Sequence, residues 1–360
     1  MALITMDGFS AACYGADADI GVKNGWSLGA GVVTTDFVWL STGGKFGGGA
    51  LQIRQSGTYP KLIRSISIQT NQARLAFYVK TPAGLTNWSN DGLLRLTNVA
   101  GNRWLIMSCN GSGVPQLFKF DDTVPLSPGW TASTAINDGS WHHIEVEFIA
   151  DPASGTAKMW VDGNLEINQT GVDTSDAVSG DLSSLDQVEL HSARSSGAGN
   201  LIVFDDLVVW DDTGTAFTGQ IGAHKIEGLA VDGAGASAQF TPSAGANYQN
   251  VDEANIDDDT TYNQDATVGH KDLFTAGDIP AGALAIRGVM VRTTAKNPDV
   301  GTKAFTNKIK RGATEASGTS HTVSGTYTAY MDFFALDPES AGGWTESQIN
   351  AIQIGYEVVT

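Results

Sequence analysis

Charged side chains and cysteines are both scarce in this sequence of 360 residues. Charged residues make up 17% of it, and its two cysteines, Cys13 and Cys109, are too few for a disulfide framework. We expect both to be small buried residues in a reducing compartment. No stretch approaches the ~18 apolar residues of a membrane-spanning helix, and the N-terminus lacks the segments of a signal peptide. These absences predict synthesis in the cytoplasm and no membrane insertion.

Basic residues are rarer than acidic ones. There are 21 Lys and Arg against 39 Asp and Glu, which gives a formal net charge of -18. This charge repels phosphate backbones, and no Lys/Arg stripe with interleaved aromatic residues offsets it locally. Nucleic acid is therefore not an expected partner.

Glycine, by contrast, is abundant, and the apolar residues occur in short runs. The sequence has 43 glycines and 41% hydrophobic residues. Between Gly31 and Trp210 the hydrophobic residues form apolar or alternating runs, and turn residues such as glycine separate these runs. This pattern predicts about a dozen strands. Because no helical pattern lies between them, the strands should form an antiparallel sandwich, for which a jelly roll is the natural solution. Asp162-Gly163 is predicted to be a tight hairpin turn.

The length of the chain favours two domains. The composition changes after Asp212, where Gly, Ala, Asp and Thr predominate and periodicity fades. We therefore predict an all-β protein with a jelly roll over 1–212, a linker over 213–235 and a smaller β-sandwich domain over 236–360. One short helix is expected at Glu346 to Ala351, because Thr345 and Gln348 form a capping-box pattern before it.

Four phrases in the first 212 residues carry a family resemblance. They are FGGGAL at 46–51, DGSWHHIEV at 138–146, MWVDG at 159–163 and FDDLVV at 204–209. In this order they resemble the laminin-G-like, concanavalin-type jelly rolls. The resemblance implies a lectin-like fold that often carries a structural Ca²⁺ between its first and last strands.

The last third of the chain carries a looser resemblance. Its residues are AGANY at 244–248, VDE at 251–253, DTTY at 259–262, and the ending from Gly343-Trp344-Thr345 to Gly355-Tyr356. They resemble a C-terminal module of tailed-bacteriophage structural proteins. The resemblance implies a virion component of a tail, a fibre or a particle-surface appendage or decoration, with other virion proteins as partners.

The concanavalin-type fold also hosts glycoside hydrolases, which place several carboxylates on one face of a strand. The nearest candidates are Glu145 and Glu147, but a third carboxylate is missing, and we expect both to lie on a solvated face. His142 and His143 are adjacent, so their rings should face opposite sides of the strand and cannot share a metal. The sequence therefore predicts a protein that is not an enzyme.

Candidate ligand residues fall into two groups. For calcium, which the jelly-roll resemblance implies, the candidates are Asp7 and Asp205, with ordinary turn and edge carboxylates as the alternative. For carbohydrate, they are Trp88, Asn90 and Trp130 in loop-like contexts, with loop packing or an oligomer contact as the alternative. The tryptophans within predicted strands are expected in the core, namely Trp39, Trp104, Trp141, Trp160 and Trp210.

Two functions follow as hypotheses. The first is a bacteriophage virion structural protein whose lectin-like domain contacts host-surface glycans. The alternative is a stand-alone carbohydrate-binding protein, and a glycoside hydrolase is the least favoured function. We expect a homo-oligomer, with a trimer as the first hypothesis by analogy with fibres, and an assembly contact that includes Trp344.

Overall fold

A computed structural model describes most of the chain. The described residues are 3–360, leaving out 11–13, 15, 18–19, 21–24, 30–31, 33, 55–59, 69–70, 87, 89–91, 98–102, 122–123, 126–128, 175–184, 193–200, 212–216, 218, 254–255 and 283–284. They form two compact units, one composed mainly of residues up to Ile226 and one composed mainly of Glu227–Thr360. Within the described residues, no helix is long and apolar enough to cross a membrane.

The described residues of the first unit form antiparallel strands and a short 3-10 turn at Thr34–Asp36. Its strands are β1 (Leu3–Asp7), β2 (Trp26–Leu28), β3 (Phe37–Leu40), β4 (Ala50–Arg54), β5 (Lys61–Ile68), β6 (Gln72–Lys80), β7 (Leu94–Thr97), β8 (Arg103–Cys109), β9 (Pro115–Asp121), β10 (Val124–Pro125), β11 (Trp130–Thr131), β12 (Trp141–Ile149), β13 (Gly155–Val161), β14 (Asn164–Val172), β15 (Leu185–His191) and β16 (Leu201–Trp210).

These strands form two sheets of eight strands each. The first has the order β14-β13-β12-β6-β16-β4-β3, with β1 also paired to β16. The second has the order β10-β9-β8-β7-β15-β5-β2, with β11 paired to β9. Neighbours in space are often distant in sequence, as for β6 and β16, which is typical of a jelly roll.

The core lies between the two sheets. Alternate residues of the central strands, such as Phe77 and Phe148 in the first sheet and Leu96 and Val188 in the second, are fully buried. Because side chains alternate across a strand, the residues between them lie on the outer faces of the sheets. Function can therefore be sought on those outer faces.

The hairpin between β13 and β14 is the tight turn that the sequence predicts. Asp162 and Gly163 have φ values of 50° and 83°, the double positive φ of a two-residue turn. The carboxylate of Asp162 accepts hydrogen bonds from the His143 amide at 2.8 Å and shares one with His142 Nδ1 at 2.7 Å.

The second unit is also a β structure. Its strands are β17 (Val231–Ala238), β18 (Thr241–Pro242), β19 (Asn263–Gln264), β20 (Lys271–Ala276), β21 (Val289–Ala295), β22 (Ala304–Arg311), β23 (Thr314–Thr322), β24 (Thr328–Phe334) and β25 (Ile352–Val358), with the helix α1 (Glu346–Ile349) before the last strand. A five-stranded sheet has the order β17-β20-β25-β22-β23, and β21 pairs with β24.

One end of this second unit is filled by a hydrophobic cluster. Its buried members are Val291, Ile309, Phe334, Trp344, Ile349 and Ile352. They come from β21, β22, β24, β25 and the helix, with Trp344 just before the helix, so the short helix closes the core at this end. Half of the predicted capping box is present: the Thr345 amide donates to the Gln348 side-chain oxygen at 2.7 Å, whereas the Gln348 amide donates to the Thr345 backbone carbonyl at 3.1 Å.

The all-β fold, with two antiparallel sheets in a jelly-roll-like sandwich, a smaller C-terminal sheet and one short helix, is confirmed. Strand β17 was not predicted, and it begins inside the segment predicted as a linker. Its residues alternate between half-buried and exposed positions but are Gly, Ala, Ser and Asp after the first Val, so they show no hydrophobic alternation. A Cβ at Gly235 would lie 2.4 Å from the Leu273 carbonyl oxygen, so a close backbone approach accounts for one glycine there.

We predict that Gly163→Ala lowers the free energy of unfolding by about 1 kcal/mol, because an alanine at positive φ is strained. No atom lies within 4 Å of a Cβ built at Gly163, so the change isolates the backbone effect. Gly48→Ala is the matched control, since its added Cβ also meets nothing and its φ lies outside the positive range. Equal urea stabilities of the two variants would contradict this assignment.

Candidate functional site

Asp7, a predicted calcium ligand, lies at the end of β1 and is 7% exposed. Its carboxylate accepts hydrogen bonds from the Phe9 amide at 2.9 Å, from Trp26 Nε1 at 2.8 Å and from an Arg64 guanidinium nitrogen at 3.0 Å. Arg64 belongs to the second sheet and is itself buried. Asp7 therefore forms a buried ion pair that joins the two sheets.

Asp205, the other predicted calcium ligand, serves a different segment. It lies opposite Tyr78 of β6, and its two oxygens accept the amides of Lys45 and Asp206, each at 2.8 Å. Burial raises the pKa of Asp205 to about 6. The next residue, Asp206, has a φ of 50° at an irregularity in β16, so the alternation of faces is interrupted here.

Asp7 and Asp205 both have protein partners in this structure. Every carboxylate oxygen of the pair already accepts a hydrogen bond from a protein donor. Among the described residues, no group of three or more His, Cys, Asp and Glu could hold a metal ion. Calcium thus stays a prediction of the resemblance.

The predicted carbohydrate and assembly residues are dispersed. Trp88 is half-buried and donates its indole N–H to the Leu85 carbonyl at 3.1 Å. Trp130 is half-buried at the start of β11, and Asn90 lies outside the described residues. Trp344 is 5% exposed and donates to the Phe334 carbonyl, so its ring belongs to the core of its own unit and is not available to another subunit.

The strand tryptophans expected in the core divide into two groups. Trp210 is fully buried, whereas Trp39, Trp141 and Trp160 are half-buried. The side chain of Trp104 lies outside the described residues.

Glu145 and Glu147 are buried, so the expectation of a solvated strand face was wrong. Glu145 is 1% exposed and accepts the amides of Ile221 and Gly222 at 2.8 and 3.0 Å. Glu147 pairs with Arg74 at 3.0 Å and with a lysine of β13. Both carboxylates therefore have structural partners, and a segment that follows β16 passes over the outer face of the first sheet.

The two adjacent histidines are both buried as well. His142 is bonded to Asp162 and Asp138, while the His143 ring lies 5.0 Å from that of Tyr78 and 5.3 Å from that of His224. Burial lowers the pKa of His143 to about 4. Both rings are therefore withdrawn from solvent.

The outer face of the second sheet carries a different cluster, which we call the polar row. It comprises Lys61 of β5, Arg95 and Thr97 of β7, and Gln187, Glu189 and His191 of β15. The neighbouring positions Val188 and Leu190 are fully buried in the core. The alternation in QVELH at 187–191 is the sequence signal that could have revealed this cluster.

Glu189 is the centre of the polar row. Its carboxylate lies 2.7 Å from Lys61 Nζ, 2.8 Å from His191 Nε2 and 3.9 Å from an Arg95 guanidinium nitrogen. Thr97 donates to the Gln187 side-chain oxygen at 3.3 Å. Glu189, His191 and Arg95 are each 3% exposed, whereas Gln187 is half-buried and the Lys61 side chain is 31% exposed.

Burial and neighbouring charges determine the protonation states of Glu189 and His191 in the polar row. Burial alone would raise the pKa of Glu189, but hydrogen bonds and charge from His191 and Lys61 lower it to about 2. Burial lowers the pKa of His191 to about 4, and the charge on Arg95 acts in the same direction, against the hydrogen bond that His191 donates to Glu189. At neutral pH the row thus holds an ionised carboxylate, a neutral imidazole, an amide and two cations.

Comparisons with known proteins concern the fold. No protein-family model matches the sequence, and no curated protein matches it. Among solved structures, an alginate lyase in complex with an alginate tetrasaccharide is 14% identical, with a TM-score of 0.41, over 59% of this chain and 98% of that one. The Crh5 transglycosylase is 12% identical, with a TM-score of 0.40, over 59% and 85%.

A binding domain is also among the similar structures. The botulinum neurotoxin serotype D binding domain is 14% identical, with a TM-score of 0.34, over 52% of this chain and 42% of that one. The structures named here thus include two enzymes and a binding domain, and none of them is described as a phage protein. The chemistry of this chain has to be argued from its own residues.

We predict that acid destabilises the first unit between about pH 6.5 and pH 4. The unfolded chain protonates its histidines near pH 6.5, whereas folded His191 and His143 stay neutral down to about pH 4. The unfolded state therefore binds more protons in this window, and stability falls as the pH falls through it. Below about pH 4.5, Glu189 adds a further loss, because its folded pKa lies near 2.

His191→Gln should reduce this pH dependence, and what remains should combine the contribution of His143 with the opposing one of Asp205, whose raised folded pKa stabilises the unit as the pH falls below about 6. His270→Gln is the control, because that side chain is 39% exposed and lies in the second unit. Urea unfolding followed by tryptophan fluorescence reports on the first unit, since only Trp344 of the nine tryptophans lies beyond Ile226. An unchanged pH dependence in His191→Gln would contradict the assignment.

Proposed function

We propose that this protein binds carbohydrate through the outer face of the second sheet of its first unit. The observation that carries the proposal is the polar row, in which a carboxylate, an imidazole, an amide, a guanidinium and an ammonium group converge on adjacent strands. Glu189, His191 and Arg95 are buried, so their role is to position the accessible Lys61 and Gln187. The ammonium and amide groups of these two residues are suited to bind sugar hydroxyls.

The same face offers an aromatic surface. Phe118 of β9 is half-buried and lies opposite Ile106, which lies opposite Arg95 of the polar row. Ile106 between them is fully buried, so a ligand that contacts both Phe118 and the polar row must span several strands, as an oligosaccharide can. A flat ring suits the apolar face of one of its sugars. Gln187 and Lys61 are the accessible members of the row, so they and Phe118 are the residues that we assign to direct contact.

We propose binding without turnover. Hydrolysis by the common two-carboxylate mechanisms requires a general acid beside a second carboxylate. Within the polar row Glu189 is the one carboxylate, and a pKa near 2 leaves it unable to donate a proton at neutral pH. Glu145 and Glu147 on the other sheet are tied to backbone amides and to cations.

A glycan array of neutral and acidic oligosaccharides, followed by calorimetry with the best binder, tests the proposal on the full chain. Gln187→Ala and Phe118→Ala should each weaken binding roughly tenfold, the effect of losing about 1.4 kcal/mol. Both side chains are half-buried, so their loss should leave the fold intact.

Gln169→Ala is the matched control, because Gln169 is a half-buried glutamine on β14 of the other sheet. It should bind as the parent protein does. Equal affinity of all three variants, or no binding to any glycan, would refute the proposal. Release of new reducing ends from the bound glycan would refute its non-enzymatic part.

A second candidate function is a structural role in a bacteriophage particle, with the chain assembled as a homo-oligomer. It is supported by the sequence phrases of the last third. The two functions are compatible, because repeated copies would convert weak glycan affinity into avidity. The position of the chain in the particle and the threefold symmetry of its oligomer are part of this second proposal.

Light scattering on the full chain and co-purification with particles test this second function. We expect an oligomer, with a trimer first, and enrichment of the chain in purified virions. A monomer that is absent from particles would refute it, whatever the outcome of the glycan experiments.

A further inference from the structure

The second unit contains a groove that its core does not fill. Its volume is about 750 Å³, within the roughly 300–1,000 Å³ of small-molecule sites. It is lined by residues of β20, β21, β22 and β25, and residues of the segment 256–266 form another wall. All of its lining residues belong to the second unit.

Aromatic rings form part of the lining. Tyr356 is the centre of a ring cluster, with Phe240 at 4.9 Å and Phe274 at 5.7 Å between ring centroids. Phe305 also lines the groove, and Tyr262 on the wall is 37% exposed. This surface favours a ligand with an apolar or aromatic body.

The charged side chains that line the groove favour a ligand of one charge over the other. Six carboxylates line the groove, whereas the cationic side chains among the described lining residues are Arg292, Lys296 and Lys303. Asp258, in the segment 256–266 that forms one wall of the groove, has an exposed side chain. The excess of negative charge disfavours anions and favours a cation, most strongly at low ionic strength.

The groove already binds one ammonium group of the chain itself. Lys296 Nζ lies 4.6 Å from the centre of the Tyr327 ring and pairs with the Asp259 carboxylate. Tyr327 donates its hydroxyl to the Asp258 carbonyl and to Asp259. A ring and a carboxylate together are the chemistry that recognises amines.

We propose that this groove binds a small amphiphilic amine, with its apolar body on the aromatic lining and its ammonium group near Asp258. The proposal is independent of carbohydrate binding, because it concerns other residues in the other unit. It assigns a binding role to residues of the second unit, none of which belongs to the polar row.

Three probes with the same indole body and different charge test the proposal by calorimetry on the full chain. Tryptamine is a cation, tryptophol is neutral and indole-3-propionate is an anion. We expect tryptamine to bind at least tenfold more tightly than tryptophol, indole-3-propionate to show no binding, and the affinity for tryptamine to fall as salt is added.

Asp258→Asn should weaken tryptamine binding at least threefold. Asp278→Asn is the matched control, since it removes the same charge from an exposed residue that does not line the groove. Equal affinities for tryptamine and tryptophol, equal effects of the two substitutions, or no binding of any probe would each overturn the proposal.

Discussion

The irregular segments of this protein depend on buried carboxylates that accept hydrogen bonds from backbone amides. A carboxylate out of water is costly unless several donors satisfy it. Here Asp7 accepts the Phe9 amide beside Arg64, and Glu145 accepts two consecutive amides. In the second unit, Asp272 is fully buried and accepts the amides of Gln239 and Phe240. Loops without hydrophobic periodicity are thus held against the sheets by charge.

Hydrophobic alternation was sufficient to predict much of the fold. Strand β12 shows this, because its apolar residues Ile144, Val146 and Phe148 alternate with polar ones and are buried. Strand β17 was missed, since its small residues pair through backbone bonds and bury no large side chain. Burial by a distant segment was also invisible to the sequence, as Glu145 shows with partners 76 and 77 residues away.

The candidate sites were harder to predict for the same reason. Trp88 was a carbohydrate candidate with loop packing as the alternative, and it is half-buried and bonds its own loop. The polar row needs three strands to come together, and β5, β7 and β15 are far apart in the chain. In the sequence, Glu189 and His191 alone do not indicate a binding site. Their significance comes from Arg95 and Lys61, which only the strand order places beside them.

The segment that leaves the first unit has a mechanical consequence. After β16 the chain returns to its own sheet, where Glu145 accepts the amides of Ile221 and Gly222 and Asp206 accepts that of Ile226. A pulling force applied through the following residues would therefore load these hydrogen bonds before it reached β16. Tension would be shared among several bonds instead of peeling the strand from its end.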